Sequence, residues 1–186
     1  NRQALGQRLV RGISLISVLA IVSLTGSVAA GTAKKHMIAA ANPLAAKAGL
    51  EILRAGGSAV DAAITTQLVL TLVEPQSSGI GGGAFMLHFD ASSKTTVAFD
   101  GRETAPAAAT EKLFLKPDGE RMKFFAAVVG GRAVGVPGVP RLMELAHKKY
   151  GKLPWKDLFA PAIDLARKGF AISPRLHALL KRDKHL

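Results

Sequence analysis

The sequence predicts an α+β fold in which helices cover a largely antiparallel sheet. Three observations point to it. Residues 85–89 and 95–99 alternate apolar and polar side chains on either side of a polar turn at 91–94, the pattern of a β-hairpin. Ahead of this pair lie a short apolar run and two segments of helical periodicity with clear start signals. Behind it, helical patterns return from Pro140 to the end. An order of strand, two helices, hairpin and then helices is that of a mixed domain whose helices gather on an antiparallel sheet.

Residues 1–33 carry the pattern of an export signal. Arg2, Arg8 and Arg11 form a basic leader with no acid among them, 13–24 is an apolar run, and Thr25 to Ala30 are small residues suited to signal peptidase. The run is short of the ~20 residues that a membrane span needs. Cleavage after Ala29 or Ala30 is therefore expected; the alternative is an uncleaved anchor over 13–30, which would associate the protein with a membrane. Either way, residues 34–186 face outside the cytoplasm, in the periplasm or secreted. Because residue 1 is Asn and the last helical pattern runs out at Lys184-His185-Leu186 without a closing turn, the chain is expected to be a fragment of a longer protein.

Residues 37–41 read as a short buried strand. Asn42-Pro43 then starts a helix, with Asn42 as N-cap and a proline where no backbone donor is needed. Gly56-Gly57 ends it, and Ser58 with Asp61 forms a capping box for a second helix. That helix, through Ala62, Ile64, Leu68, Val69 and Leu72, is apolar on nearly every side and so buried, and Pro75 ends it. In the hairpin, Phe85, Leu87 and Phe89 share one face of the first strand and Thr95, Val97 and Phe99 one face of the second; His88 lies opposite the phenylalanines as a packing residue. Residues 111–125 are ambiguous apart from a turn at Lys116-Pro117-Asp118-Gly119. A strand is expected at 132–136. A helix follows with Leu142, Leu145 and Ala146 inward, stopping at Gly151. Pattern resumes over 154–168, split by Pro161 and stopped by Gly169, and Ser173-Pro174 caps a last helix.

With 186 residues, 48% of them hydrophobic, the chain can bury one core. The net charge of +12 could attract nucleic acid, yet beyond Lys112 the basic residues are interspersed with acids, and one Trp and one Tyr offer little stacking surface. A solvated basic surface is the reading adopted, with no nucleic-acid partner. There is no cysteine, which excludes thiol catalysis and disulfides here.

Among candidates for chemistry, the glycine run at 79–83 lacks the Lys-Ser/Thr of a phosphate loop, and a strand rather than a helix follows it. Its glycines are better suited to close backbone approach. Arg102, at the exit of the second strand, is the sharper candidate. Its guanidinium can grip a carboxylate through two parallel hydrogen bonds, or it can pair structurally with Asp100 or Glu103. His36, His88, His147, His177 and His185 are scattered without ligand spacing, so no metal site is expected, and no other cofactor is implied. Ser77 and Ser78 lie in no nucleophile elbow, and the residues assemble no complete catalytic set.

Six stretches in order, at 37–41, Asn42-Pro43-Leu44-Ala45, 56–63, 74–83, 100–106 and Tyr150-Gly151-Lys152-Leu153-Pro154-Trp155, resemble the N-terminal part of the large subunit of γ-glutamyltranspeptidase, also called glutathione hydrolase. The resemblance runs from Met37 to the end. It implies an N-terminal-nucleophile hydrolase fold, an αββα sandwich of which 34–186 is an incomplete part, cut from a precursor into large and small subunits. It implies that a threonine at the start of the small subunit attacks the γ-glutamyl carbonyl of glutathione or a related amide, and that Arg102 holds the substrate's α-carboxylate. Ala84 stands where the family often has a further glycine. No catalytic residue of the family falls within this chain, and Thr65-Thr66 in a buried helix cannot substitute, so alone it is expected to be inactive. A related N-terminal-nucleophile acylase and a non-catalytic, truncated or membrane-anchored product are the alternatives.

Overall fold

The computed structural model describes residues 32–184. The expected signal segment at 1–33 lies almost wholly outside the described residues. Among those described, no helix is long and apolar enough to cross a membrane. All elements below belong to the compact unit that begins at His36.

Asn42 caps the first helix, α1 (Pro43–Arg54), by accepting from the Leu44 N–H at 3.0 Å, and Gly56 ends it at φ +91°. The next helix, α2 (Ala59–Val73), begins with the full capping box: Ser58 Oγ accepts from Asp61 N at 3.1 Å, and Asp61 Oδ2 accepts from Ser58 N at 2.8 Å. As its composition implies, α2 carries buried residues from Val60 to Val73, with Ala59 and Ala63 left exposed. Within this unit it is the central element, with α1 packed beside it and two apolar clusters formed on it. One joins Ile64 and Leu68 to Ile52, Leu142, Met143 and Leu158; the other joins Val69 and Val73 to Ala45 and Ala48.

The hairpin consists of β1 (Ala84–Asp90) and β2 (Thr95–Gly101), paired antiparallel with Met86 opposite Phe99 and His88 opposite Val97. Register thus places Met86, His88, Val97 and Phe99 on the face toward the helices, where the His88 ring stacks on Tyr150 at 4.0 Å. Phe85, Leu87 and Phe89 form the other face and remain 69%, 76% and 62% exposed.

A short helix, α3 (Phe124–Val128), follows the turn at Lys116-Gly119, which closes as expected with Gly119 N donating to Lys116 O at 3.0 Å. The main later helices are α4 (Val139–Tyr150), α5 (Ala160–Lys168) and α6 (Pro174–Leu180). A 3-10 turn at Trp155–Phe159 precedes α5, so Pro161 does divide the 154–168 segment. Ser173 caps α6 by accepting from Leu176 N at 3.0 Å.

Three expectations need correction. Residues 37–41 form no strand: Ile38 and Ala40 are half-buried, but Met37 is 70% exposed and no ladder forms along them. A strand requires a neighbour to share its hydrogen bonds, and none lies there among the described residues. At 132–136 a 3-10 turn over Gly131–Ala133 takes the place of a strand, leaving one bridge, Val136 with Thr104. In α4 the inward residues are Val139, Leu142, Met143 and Ala146, an i, i+3, i+4, i+7 set that leaves Leu145 on the flank at 43% exposure. The segment that carries α5 is anchored by Leu158 in the preceding turn, which is fully buried and whose carbonyl accepts from Thr65 Oγ1 at 3.0 Å, while Ile163 is 43% exposed.

Candidate functional site

The end of β2 and the start of α4 converge on the glycine run. Gly82 O accepts from Gly138 N at 3.0 Å and from Val139 N at 3.3 Å, so the first free N–H groups of α4 are capped by a backbone carbonyl of the run. Gly138 in turn lies against the strand exit: a Cβ there would stand 2.6 Å from the carbonyl carbon of Gly101 and 3.0 Å from Arg102 O. Close backbone approach is thus found at Gly83, Gly101 and Gly138, whereas a Cβ at Gly81 or Gly82 would meet open space. Two of the donors at the start of α4 are already occupied.

Arg102 emerges from this junction. Asp100 Oδ1 accepts from the Arg102 backbone N–H at 2.9 Å and fixes the turn. Arg102 Nη1 pairs with Glu103 Oε1 at 2.7 Å, with the arginine side chain 64% exposed and the glutamate 29% exposed. Of the two acids beside it, Glu103 is thus the ion-pair partner, while Asp100 shapes the backbone. A guanidinium carries five N–H donors, so a pair made through Nη1 leaves a fork for a second carboxylate arriving from solvent. Glu103 is itself seated tightly: its Oε2 is buried without a hydrogen-bond partner, and Gly83 and Gly135 press against it.

The remaining motifs are structural ties. Asp61 is fully buried, and besides capping α2 its Oδ2 accepts from Lys152 N at 2.9 Å and Leu153 N at 3.2 Å, binding the Tyr-Gly-Lys-Leu-Pro-Trp loop to the helix start. His147 Nε2 lies 2.9 Å from Leu153 O; a carbonyl only accepts, so this nitrogen carries the proton. Glu74, also buried, accepts from Asn42 Nδ2 at 2.9 Å and from Gln76, and these two hydrogen bonds, Asn42's first, hold its carboxyl below the ordinary range against the opposing effect of burial. Thr65 and Thr66 sit in the buried wall of α2. Among the described residues no group of three or more His, Cys, Asp and Glu is arranged to hold a metal.

Sequence reasoning placed Arg102 at the exit of a strand but missed the depth of Glu103 and the meeting of positions 82 and 138. An acid beside an arginine at a strand exit was the available signal for the first. The second had none, because the contact joins backbones more than fifty residues apart.

Comparison with known proteins follows the same outline. The sequence profile of the Gamma-glutamyltranspeptidase family matches residues 45–186. The glutathione hydrolase proenzyme of Bacillus subtilis strain 168 is 46% identical over 139 residues, which is 75% of this chain and 24% of that protein. Among solved structures, the γ-glutamyltranspeptidase of Helicobacter pylori superposes with a TM-score of 0.77 at 38% identity, over 82% of this chain and 43% of that one. A cephalosporin acylase from Bacillus halodurans superposes with a TM-score of 0.64 at 35% identity, over 82% of this chain and 29% of that one. The chain thus spans about a quarter of the length of the curated relative it matches.

Proposed function

The chain belongs to the γ-glutamyltranspeptidase family, with the α+β fold of part of an N-terminal-nucleophile hydrolase, and on that premise we propose that it supplies the donor-gripping part of a γ-glutamyl transferase and glutathione hydrolase precursor. The observation that carries this reading is Arg102: an exposed guanidinium at the end of a strand, with its base tied to Asp100 and one edge held by Glu103.

In this reading, Arg102 takes the α-carboxylate of glutathione or another γ-glutamyl compound by a charge-assisted pair of hydrogen bonds. That contact does no bond-making. It fixes one end of the donor, so that the γ-carbonyl stands in line with a nucleophile contributed by the small subunit. A threonine there, with its own α-amine as base, attacks the carbonyl; the C–N bond breaks, the amine leaves with a proton, and a γ-glutamyl ester forms. Water or an acceptor amine then takes the acyl group. With the nucleophile outside residues 1–186, the chain alone has no turnover. The exposed face of Phe85, Leu87 and Phe89 fits a hairpin that the rest of the precursor covers, since an apolar face of this kind is seldom left to water. The leader at 1–33 is read as an export signal placing the protein in the periplasm or outside the cell.

A second reading, an acylase acting on a different amide, is favoured by the superposition on the cephalosporin acylase. Kinetics of the full-length protein separate the two. With a γ-glutamyl anilide as donor, turnover is expected, and Arg102→Ala should raise KM by about tenfold to a hundredfold, the equivalent of a lost charge-assisted hydrogen bond. Turnover of a side-chain amide without an α-carboxylate, with KM indifferent to Arg102→Ala, would favour the acylase.

A further inference from the structure

The glycine run contributes more than flexibility, and its last member is the informative one. A Cβ at Gly81 or Gly82 would meet nothing within 4 Å, whereas at Gly83 it would fall onto Glu103 Oε2, 2.6 Å from Glu103 N and 2.9 Å from Arg102 Cα. Gly135 presses on the same glutamate, a Cβ there standing 3.0 Å from Glu103 Cγ. The next residue, Thr104, is pinned by its bridge to Val136, with Val136 N donating to Thr104 O at 2.8 Å. Glu103 Oε2 has no hydrogen-bond partner, so on that side the carboxylate is located by shape, while on the other Oε1 holds Arg102 Nη1 at 2.7 Å.

We propose that Gly83 is a positioning residue for donor binding: by having no side chain it gives the Glu103 carboxylate its seat, and that seat sets where the Arg102 guanidinium stands. The proposal rests on the reading of Arg102 as the carboxylate grip. A methyl at position 83 cannot be absorbed by a flexible tip alone, because the Glu103 backbone nitrogen is also too close. Either the glutamate swings out or the strand exit shifts, and both turn the arginine. No route to the nucleophile is involved, so the acyl-transfer step itself is untouched.

The test is steady-state kinetics of the full-length protein with two donors, a γ-glutamyl anilide and the 4-aminobutyryl anilide that lacks only the α-carboxylate. Gly83→Ala should raise KM for the first by about tenfold, inside the range that ångström-scale misplacement produces, and leave KM for the second unchanged. In the Arg102→Ala background, Gly83→Ala should add nothing, since the group it acts through is gone. Glu103→Gln, which keeps the shape but drops the charge facing Arg102, is measured alongside in case the methyl impairs folding; it should raise KM for the carboxylate donor alone. Equal KM changes for both donors, or a full additional effect in the Arg102→Ala background, would overturn the positioning role. A large effect of Arg102→Ala with Gly83→Ala and Glu103→Gln both indifferent would overturn it too, leaving the donor reading intact. An indifferent Arg102→Ala would overturn the donor reading itself.

Discussion

Asp61→Ala should cost about 3–5 kcal/mol of stability, because it strands buried donors rather than merely removing a contact. Asp61 has no solvent exposure, and its Oδ2 alone accepts from Ser58 N at 2.8 Å, Lys152 N at 2.9 Å and Leu153 N at 3.2 Å. Each orphaned donor carries a desolvation cost of about 1–3 kcal/mol, and water entering the vacated space recovers part of the total. Asp61→Asn separates charge from geometry. Its amide oxygen can occupy the Oδ2 position and still accept from all three donors, so its cost should be about 1–2 kcal/mol. Trp155, the single tryptophan, sits 5.2 Å from the His147 ring in the loop that Asp61 ties down, and its fluorescence reports the event. With a urea slope of about 2 kcal/mol per molar, the alanine variant should lose about 2 M of midpoint and the asparagine variant less than about 1 M. An alanine midpoint within about 0.3 M of the parent, or asparagine worse than alanine, would refute the argument that these three bonds join the two motifs.

Three further outcomes are expected. Glu74 has its carboxyl lowered below the ordinary 4.5 in the folded state, chiefly by Asn42, so its contribution is complete above that value and is lost as pH falls through the lowered one; Asn42→Ala should weaken this acid sensitivity in unfolding midpoints taken across the acid limb. Gly138→Ala drives a methyl into the Gly101 backbone, 2.6 Å from its carbonyl carbon, and should cost about 1–3 kcal/mol, read as a lowered melting temperature; an unchanged Tm would mean that β2 and α4 separate freely. Leu87→Asp, on a side chain 76% exposed, should change the stability of this unit by less than about 0.5 kcal/mol yet sharply reduce the yield of folded full-length protein, and equal yields would argue that nothing covers that face.

The helices were legible because their signals are local. Asn42-Pro43, Ser58 with Asp61, and Ser173-Pro174 each cap within three residues of themselves, and each cap forms as its sequence implies. The hairpin was legible for the same reason, through alternation and a polar turn. Its solvent face was not, because Phe85, Leu87 and Phe89 look like core residues and only the register against Phe99 and Val97 turns them outward. The strand expected at 37–41 failed on the same ground: apolar alternation says which side is buried, whereas a strand is made by a neighbour. At the site, Arg102 was visible as a charge at a strand exit, and its choice of Glu103 over Asp100 was not, since an arginine side chain can reach an acid one residue after it or two before it. The junction of positions 82, 101 and 138 is a matter of glycine meeting glycine, which leaves no pattern in one sequence.

Whether Arg102 receives a donor carboxylate from a stance fixed by Glu103 is decided by the structure of the full-length protein with a γ-glutamyl compound bound. Two guanidinium N–H groups of Arg102 are expected at about 2.7–2.9 Å from the ligand's α-carboxylate oxygens, with the Glu103 pair still in place. A ligand carboxylate bound elsewhere, with Arg102 engaged only by Glu103, would contradict this role.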